Sequence, residues 1–160
     1  MMLKVYAVEA RNLPAMDMNG SSDPYLVVYF QDQKAKTRTL KNNLNPVWNE
    51  LFNFTVVPGD RHINIAIYDE DVVGSDELEG VCVLELPNEA ECDQKMVIEW
   101  KSLEDSHQRD TGAKLRVGYQ YIYDLARLID STISQREEEL KESEDRRIWI
   151  TDYLKHTQSK

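Results

Sequence analysis

Residues 69–77, DEDVVGSDE, carry five carboxylates in nine positions, with Val72 and Val73 between them. A second stretch, MDMNGSSDP, sets Asp17 and Asp23 six residues apart. Carboxylates are hard oxygen donors, and several at one spot repel each other unless a cation sits among them. Calcium suits such a set best, because it accepts many oxygens in loose geometry. Magnesium asks for a stricter octahedron, and zinc for nitrogen or sulfur. The 69–80 stretch is not an EF-hand. Counting from Asp69, the fifth place is Val73 and the twelfth is Gly80, where a bidentate glutamate is required.

Other chemistries find less support. Cys82 and Cys92 lack metal-type spacing, and Cys82 lies in an apolar run that reads as a reduced core position. His62, His107 and His156 are scattered. The chain holds no Gly-x-Ser-x-Gly elbow and no glycine-rich phosphate loop, so it reads as a binding module and not an enzyme. A formal net charge of −10 argues against nucleic acid as a partner. No stretch approaches the length of a bilayer-crossing helix, and MMLKVYAVEARNL is too polar for a signal peptide. The expected setting is cytoplasmic.

Asp17, Asp23, Asp69 and Asp71 meet only if their loops share one end of a scaffold. Short strand signals recur throughout the first three quarters of the chain: 3–8, 25–30, 34–40, 51–57, 63–68, 78–86, 95–100 and 113–122. INIAIY at 63–68 has the cleanest alternation, with Ile63, Ile65 and Ile67 on one face. Eight short strands with polar turns and no helix among them make an all-β fold, an eight-stranded antiparallel β-sandwich. In this arrangement Asp69 and Asp71 follow directly on a strand, and Asp17 and Asp23 bracket the turn between the first two strands.

After Ile122 the composition changes. Residues 123–160 contain no Gly or Pro and are rich in Glu, Arg and Leu. Leu125, Leu128, Ile129, Ile133 and Leu140 follow helical spacing, which predicts a charged α-helical extension, whole or broken near Ser143. The chain is therefore divided into a sandwich at 1–122 and a helical extension at 123–160. The thin apolar stripe and a cluster at Trp149, Ile150, Tyr153 and Leu154 leave the role open between docking on the sandwich or mere fraying, self-association, and a protein partner.

ARNLPAMDMNGSSDPYLVVYF, KAKTRTLKNNLNPVWNELFNF and IYDEDVVGSDELEG, in that order, strongly resemble a C2 domain of type II topology over about residues 1–122. The resemblance implies a Greek-key sandwich that binds calcium and phospholipid. It assigns Asp17, Asp23, Asp69 and Asp71 as ligands, with backbone carbonyls at Met16 and Glu70. The fifth family aspartate falls on Glu77, with Asp76 a competitor, and a third-ion hydroxyl position is Gly74. Two calcium ions are expected. Met16, Met18, Val72 and Val73 then lie at loop tips suited to shallow bilayer insertion.

Lys34, Lys36 and Arg38 alternate, so an extended chain puts all three on one face. The resemblance implies a phosphoinositide-binding surface there, flanked by Tyr25 and Trp48. The expected function is calcium-dependent, reversible docking on anionic membranes containing phosphatidylserine or phosphoinositide. A scaffold or self-associating adaptor working through 123–160 is the alternative.

Overall fold

The computed structural model describes residues 1–18, 20–59, 61–87, 95–122, 133 and 136–149. The chain divides into two compact units, Met1–Ile122 and Tyr123–Lys160. The first holds eight strands: β1 (Met2–Arg11), β2 (Pro24–Phe30), β3 (Gln33–Lys36), β4 (Val47–Thr55), β5 (His62–Asp69), β6 (Glu77–Glu85), β7 (Val97–Glu104) and β8 (Asp110–Ile122).

Every pairing is antiparallel, in the order β3-β2-β5-β6-β7-β8-β1-β4. The two four-stranded halves join through Val81 opposite Glu104. Gly80 permits that junction, since a Cβ there would lie 2.9 Å from the Leu103 Cβ. Alternating residues supply the core between the halves: Leu3 and Val5, Leu26 and Val28, Ile63, Ile65 and Ile67, and Leu115 and Val117 are all buried. Cys82 is a free, buried thiol, and burial pushes its pKa up to about 12, as an inert core position requires. Cys92 lies outside the described residues.

Several strands depart from their expected bounds: β1, β7 and β8 run three or four residues further at one end, and β3, β4 and β6 differ for reasons that can be named. β3 ends at Lys36, four residues before Leu40, because the Thr37 hydroxyl takes the Leu26 N–H in place of a backbone carbonyl. β4 begins at Val47, four residues before Leu51, and its pairing with β1 slips between Glu50 and Val47, where Asn49 stands at φ 52°. In β6 an extra residue, Glu79, stands between the pairs Tyr68–Leu78 and Ile67–Gly80, and this β-bulge turns its carboxyl inward.

In the second unit residues 136–149 are helical, and the helix, α1, runs through Ser143 without a break. Arg136–Glu139 and Glu142–Arg146 pairs lie along it. A single serine inside a helix costs only about 0.5 kcal/mol, too little to stop it. Ile133, Leu140, Ile148 and Trp149 are exposed. Leu125, Leu128, Ile129, Ile150, Tyr153 and Leu154 lie outside the described residues.

Candidate metal centre

Three loops build the site: 12–23 after β1, 37–46 after β3, and 70–76 after β5. The first is shaped by Met16 and Asp17, whose N–H groups both donate to the Ser21 carbonyl, and by Gly20, which donates to the Asp17 carbonyl. The second loop is laced to the first: Leu13 N–H donates to Leu44 O, Asn43 N–H to Ser22 O, and Leu40 N–H to Pro24 O. The third is fixed by Glu70 N–H on the Asp23 carbonyl and by Asp23 N–H on Asp69 Oδ1 at 2.6 Å. Pro24 and Asp69 are partners in the β2–β5 ladder, so two acids from distant parts of the chain meet by register alone.

The four aspartates share one electrostatic field. Asp17 is pushed above the usual carboxylate range, first by desolvation and then by the charges of Asp69, Asp23 and Asp71. Asp69 is 2% exposed and sits deepest, while Asp71 lies at the loop's start. All these donors are hard oxygens, and their mutual repulsion is what a divalent cation would relieve; the set fits calcium. Among the described residues, however, no three acidic side chains already stand close enough to enclose an ion.

Local partners explain the spread. Asp23 Oδ1 accepts the Asn42 N–H at 2.7 Å and Oδ2 accepts the Lys41 ammonium at 3.0 Å. The Asn42 contact, then Lys41, holds Asp23 below its ordinary pKa. Asp76 is occupied as well: Oδ2 takes the Tyr25 hydroxyl and Oδ1 the Asp71 N–H at 3.1 Å, and the Tyr25 bond foremost lowers its pKa. Glu77 opens β6 opposite Asp69 and is exposed. Glu70 points its carboxylate to the Thr39 hydroxyl at 2.9 Å and to Lys41 at 3.1 Å, leaving only its backbone for the role assigned to it. Met16 is half-buried, whereas Met18, Val72 and Val73 are almost fully exposed, at 107, 93 and 89%. Gly74, at φ 112°, makes the turn behind the two valines with a backbone that L side chains rarely adopt.

Lys34, Lys36 and Arg38 are all exposed, as alternation requires. Lys34 lies 5.3 Å from the Tyr29 ring centroid, and Lys36 lies 3.4 Å from that of Tyr25 and 3.6 Å from Glu70. Arg38 donates to the Trp48 carbonyl and pairs with Glu50. The expectation for Trp48 needs correction. Its ring is fully buried, so it supports the basic strand from within and offers no surface to a headgroup. Tyr25 is buried too, reaching the surface only through its hydroxyl on Asp76 and the lysine above its ring.

Two residues escaped the sequence reading. Lys41 has no periodic partner to mark it and emerges only from the folding of its loop. Glu79 had a signal in principle, a charge followed by Gly80 inside an apolar strand, which is how a bulge announces itself. Its Oε1 accepts the buried Ser22 hydroxyl, and its Oε2 is buried without a partner among the described residues.

Residues 1–103 match the family described as C2 domain. Synaptotagmin-4 of Arabidopsis thaliana is 36% identical over 126 residues, covering 76% of this chain and 22% of that protein. Human synaptotagmin-9 is 44% identical over 97 residues, covering 56% of this chain and 19% of its own length. The chain thus spans about a fifth of the length of these curated relatives. Among solved structures, a C2 domain of plant extended synaptotagmin 1 superimposes with a TM-score of 0.63 at 27% identity, covering 76% of this chain and 96% of that one. The calcium-bound pair of C2 domains from extended synaptotagmin 2 gives 0.62 at 27% identity, covering 74% and 44%. A human cytosolic phospholipase A2 matches through 16% of its length. Strand order, loop placement and a family match over most of the sandwich agree, and the chain belongs to the C2 domain family.

Proposed function

We propose that this chain is a calcium-dependent module that docks reversibly on anionic phospholipid membranes from the cytoplasmic side. The observation that carries the reading is the meeting of the two acidic loops, with Asp23 N–H on Asp69 Oδ1 at 2.6 Å and Glu70 N–H on the Asp23 carbonyl, where the charges of Asp69, Asp23 and Asp71 also help to raise the Asp17 carboxyl. Beside that field stand three exposed apolar tips, Met18, Val72 and Val73.

Asp17, Asp23, Asp69, Asp71 and Glu77 would hold two calcium ions, with backbone carbonyls of Met16 and Glu70 completing the set. The ions supply positive charge and open positions for headgroup oxygens. Without them this end of the sandwich repels an anionic leaflet; with them the local field is neutralised or reversed. Fully burying an apolar tip is worth about 1.5–3 kcal/mol, and insertion at headgroup depth yields less. Lys34, Lys36 and Arg38 add at most about 1 kcal/mol each near phosphatidylserine or a phosphoinositide. Metal and lipid therefore tighten one another.

Co-sedimentation with phosphatidylserine–phosphatidylcholine vesicles tests this. The protein is expected in the pellet with calcium and in the supernatant with chelator. Equal pelleting in both, or none in either, contradicts the proposal.

A second reading is favoured by α1, whose Leu140, Ile148 and Trp149 are exposed. It makes residues 123–160 a surface for self-association or for a protein partner, with calcium binding secondary.

A further inference from the structure

Lys41 bridges the three loops. It belongs to the 37–46 loop, yet its ammonium reaches Asp23 of the first loop at 3.0 Å and Glu70 of the third at 3.1 Å. One flexible side chain therefore joins all three parts of the site. Its backbone is fixed on both sides, by Leu40 N–H on the Pro24 carbonyl and Asn42 N–H on Asp23 Oδ1. The side chain itself is half-exposed, at 53%.

Asp23 has two carboxylate oxygens. Both are engaged, Oδ1 by the Asn42 N–H and Oδ2 by Lys41, and of the two donors only the lysine side chain can swing away. A divalent ion drawing on Oδ2 competes with the ammonium for the same lone pairs and repels it at close range. Glu70 is differently placed. Besides Lys41 it has the Thr39 hydroxyl at 2.9 Å and Lys36 at 3.6 Å, so it remains compensated when the ammonium leaves.

We propose that Lys41 is the resident cation of the loop site, displaced when a divalent ion takes Asp23 and then presented to an anionic lipid headgroup. This deepens the calcium-dependent membrane reading and rests on it. Lysine suits both states, being a compact charge on a four-carbon stem that swings without moving the backbone, with three donors for phosphate or carboxylate oxygens. In the metal-free chain Lys41 quenches part of the repulsion among the acids. In the metal-loaded chain it adds a positive charge at the rim of the loops, where headgroups arrive. The residue thus lowers calcium affinity in solution and raises affinity for the membrane, which strengthens the coupling between the two ligands.

The test measures both affinities on the full chain and on Lys41→Gln, with Lys41→Arg retaining the charge. Circular dichroism confirms that the exposed substitutions leave the fold intact. In lipid-free calorimetry Lys41→Gln is expected to bind calcium about three- to ten-fold more tightly, because the competitor is gone. At saturating calcium the same variant is expected to bind phosphatidylserine–phosphatidylcholine vesicles about five-fold more weakly. Lys41→Arg is expected to follow the wild type in both. An unchanged or weaker calcium affinity in Lys41→Gln overturns the displacement, and an unchanged vesicle affinity overturns the handover. A wild-type chain with no calcium response removes the parent reading as well, whereas a wild-type response that Lys41→Gln leaves untouched removes this proposal alone.

Discussion

Glu79 shows how one residue can register the state of the whole site. It is 2% exposed, its Oε2 has no partner among the described residues, and Asp69 stands close enough to add its own repulsion. Burial foremost raises the carboxyl from 4.5 to about 7, against the opposing Ser22 hydroxyl bond. In the unfolded chain the group ionises near its ordinary value, and in the fold it resists until about 7. Its stabilising contribution is therefore complete below pH 4.5 and is lost as pH climbs through 7. Asp23, Glu70 and Asp76 act in the opposite sense, but their pKa values are lowered, so their contribution fades only in acid below the ordinary carboxylate range. Thermal melts in chelator from pH 5 to 8 are expected to show Tm falling with pH in the wild type. In Glu79→Gln the curve flattens, with a higher Tm at pH 8. Parallel curves for the two proteins contradict this account of Glu79.

At the level of elements, much of the sandwich was legible because water is on one side of each strand and core on the other. Ile63, Ile65 and Ile67 alternate cleanly, and β5 lies within a residue of its expected bounds. Where side chains or unusual backbone replace that rule, the sequence pattern misleads: Thr37 closes β3 early, Asn49 hides the start of β4, and Glu79 occupies a bulge. The acidic pairs were legible as pairs, since Asp69 and Asp71 end a strand and Asp17 and Asp23 bracket a turn. The links of Asp23 to Lys41 and Asn42 were not, because these two lie in the 37–46 loop, whose approach no periodicity encodes. The burial of Trp48 was missed because its surface role came from the resemblance and not from its own neighbours, Val47 and Asn49. α1 is the element whose purpose its own pattern leaves least defined. Exposed Leu140, Ile148 and Trp149 on a charged helix favour contact with another surface. Light scattering on the full chain and on residues 1–122 is expected to show a larger mass per particle for the full chain beyond the segment's own weight. A monomeric mass for both removes self-association.

Across the whole molecule, charge is distributed unevenly, and the proposed function depends on that. Residues 1–122 hold 12 basic and 20 acidic residues, against 7 and 9 in 123–160. Seven of those acids, Asp17, Asp23, Asp69, Glu70, Asp71, Asp76 and Glu77, lie in or next to the 12–23 and 70–76 loops, while Lys34, Lys36 and Arg38 lie on β3 and just past its end. Among the described residues no helix is long and apolar enough to cross a membrane; the docking proposed above would use the loop tips and surface charge. Such contacts are individually modest and together reversible. The central claim is that carboxylates from the 12–23 and 70–76 loops gather around calcium. Calorimetric titration of the whole chain with calcium tests it most directly, with Asp69→Asn/Asp71→Asn as the control that keeps side-chain volume and removes two charges. Saturable heat in the wild type that vanishes in the double variant is the predicted result; a wild type without heat, or a double variant that retains it, contradicts the account.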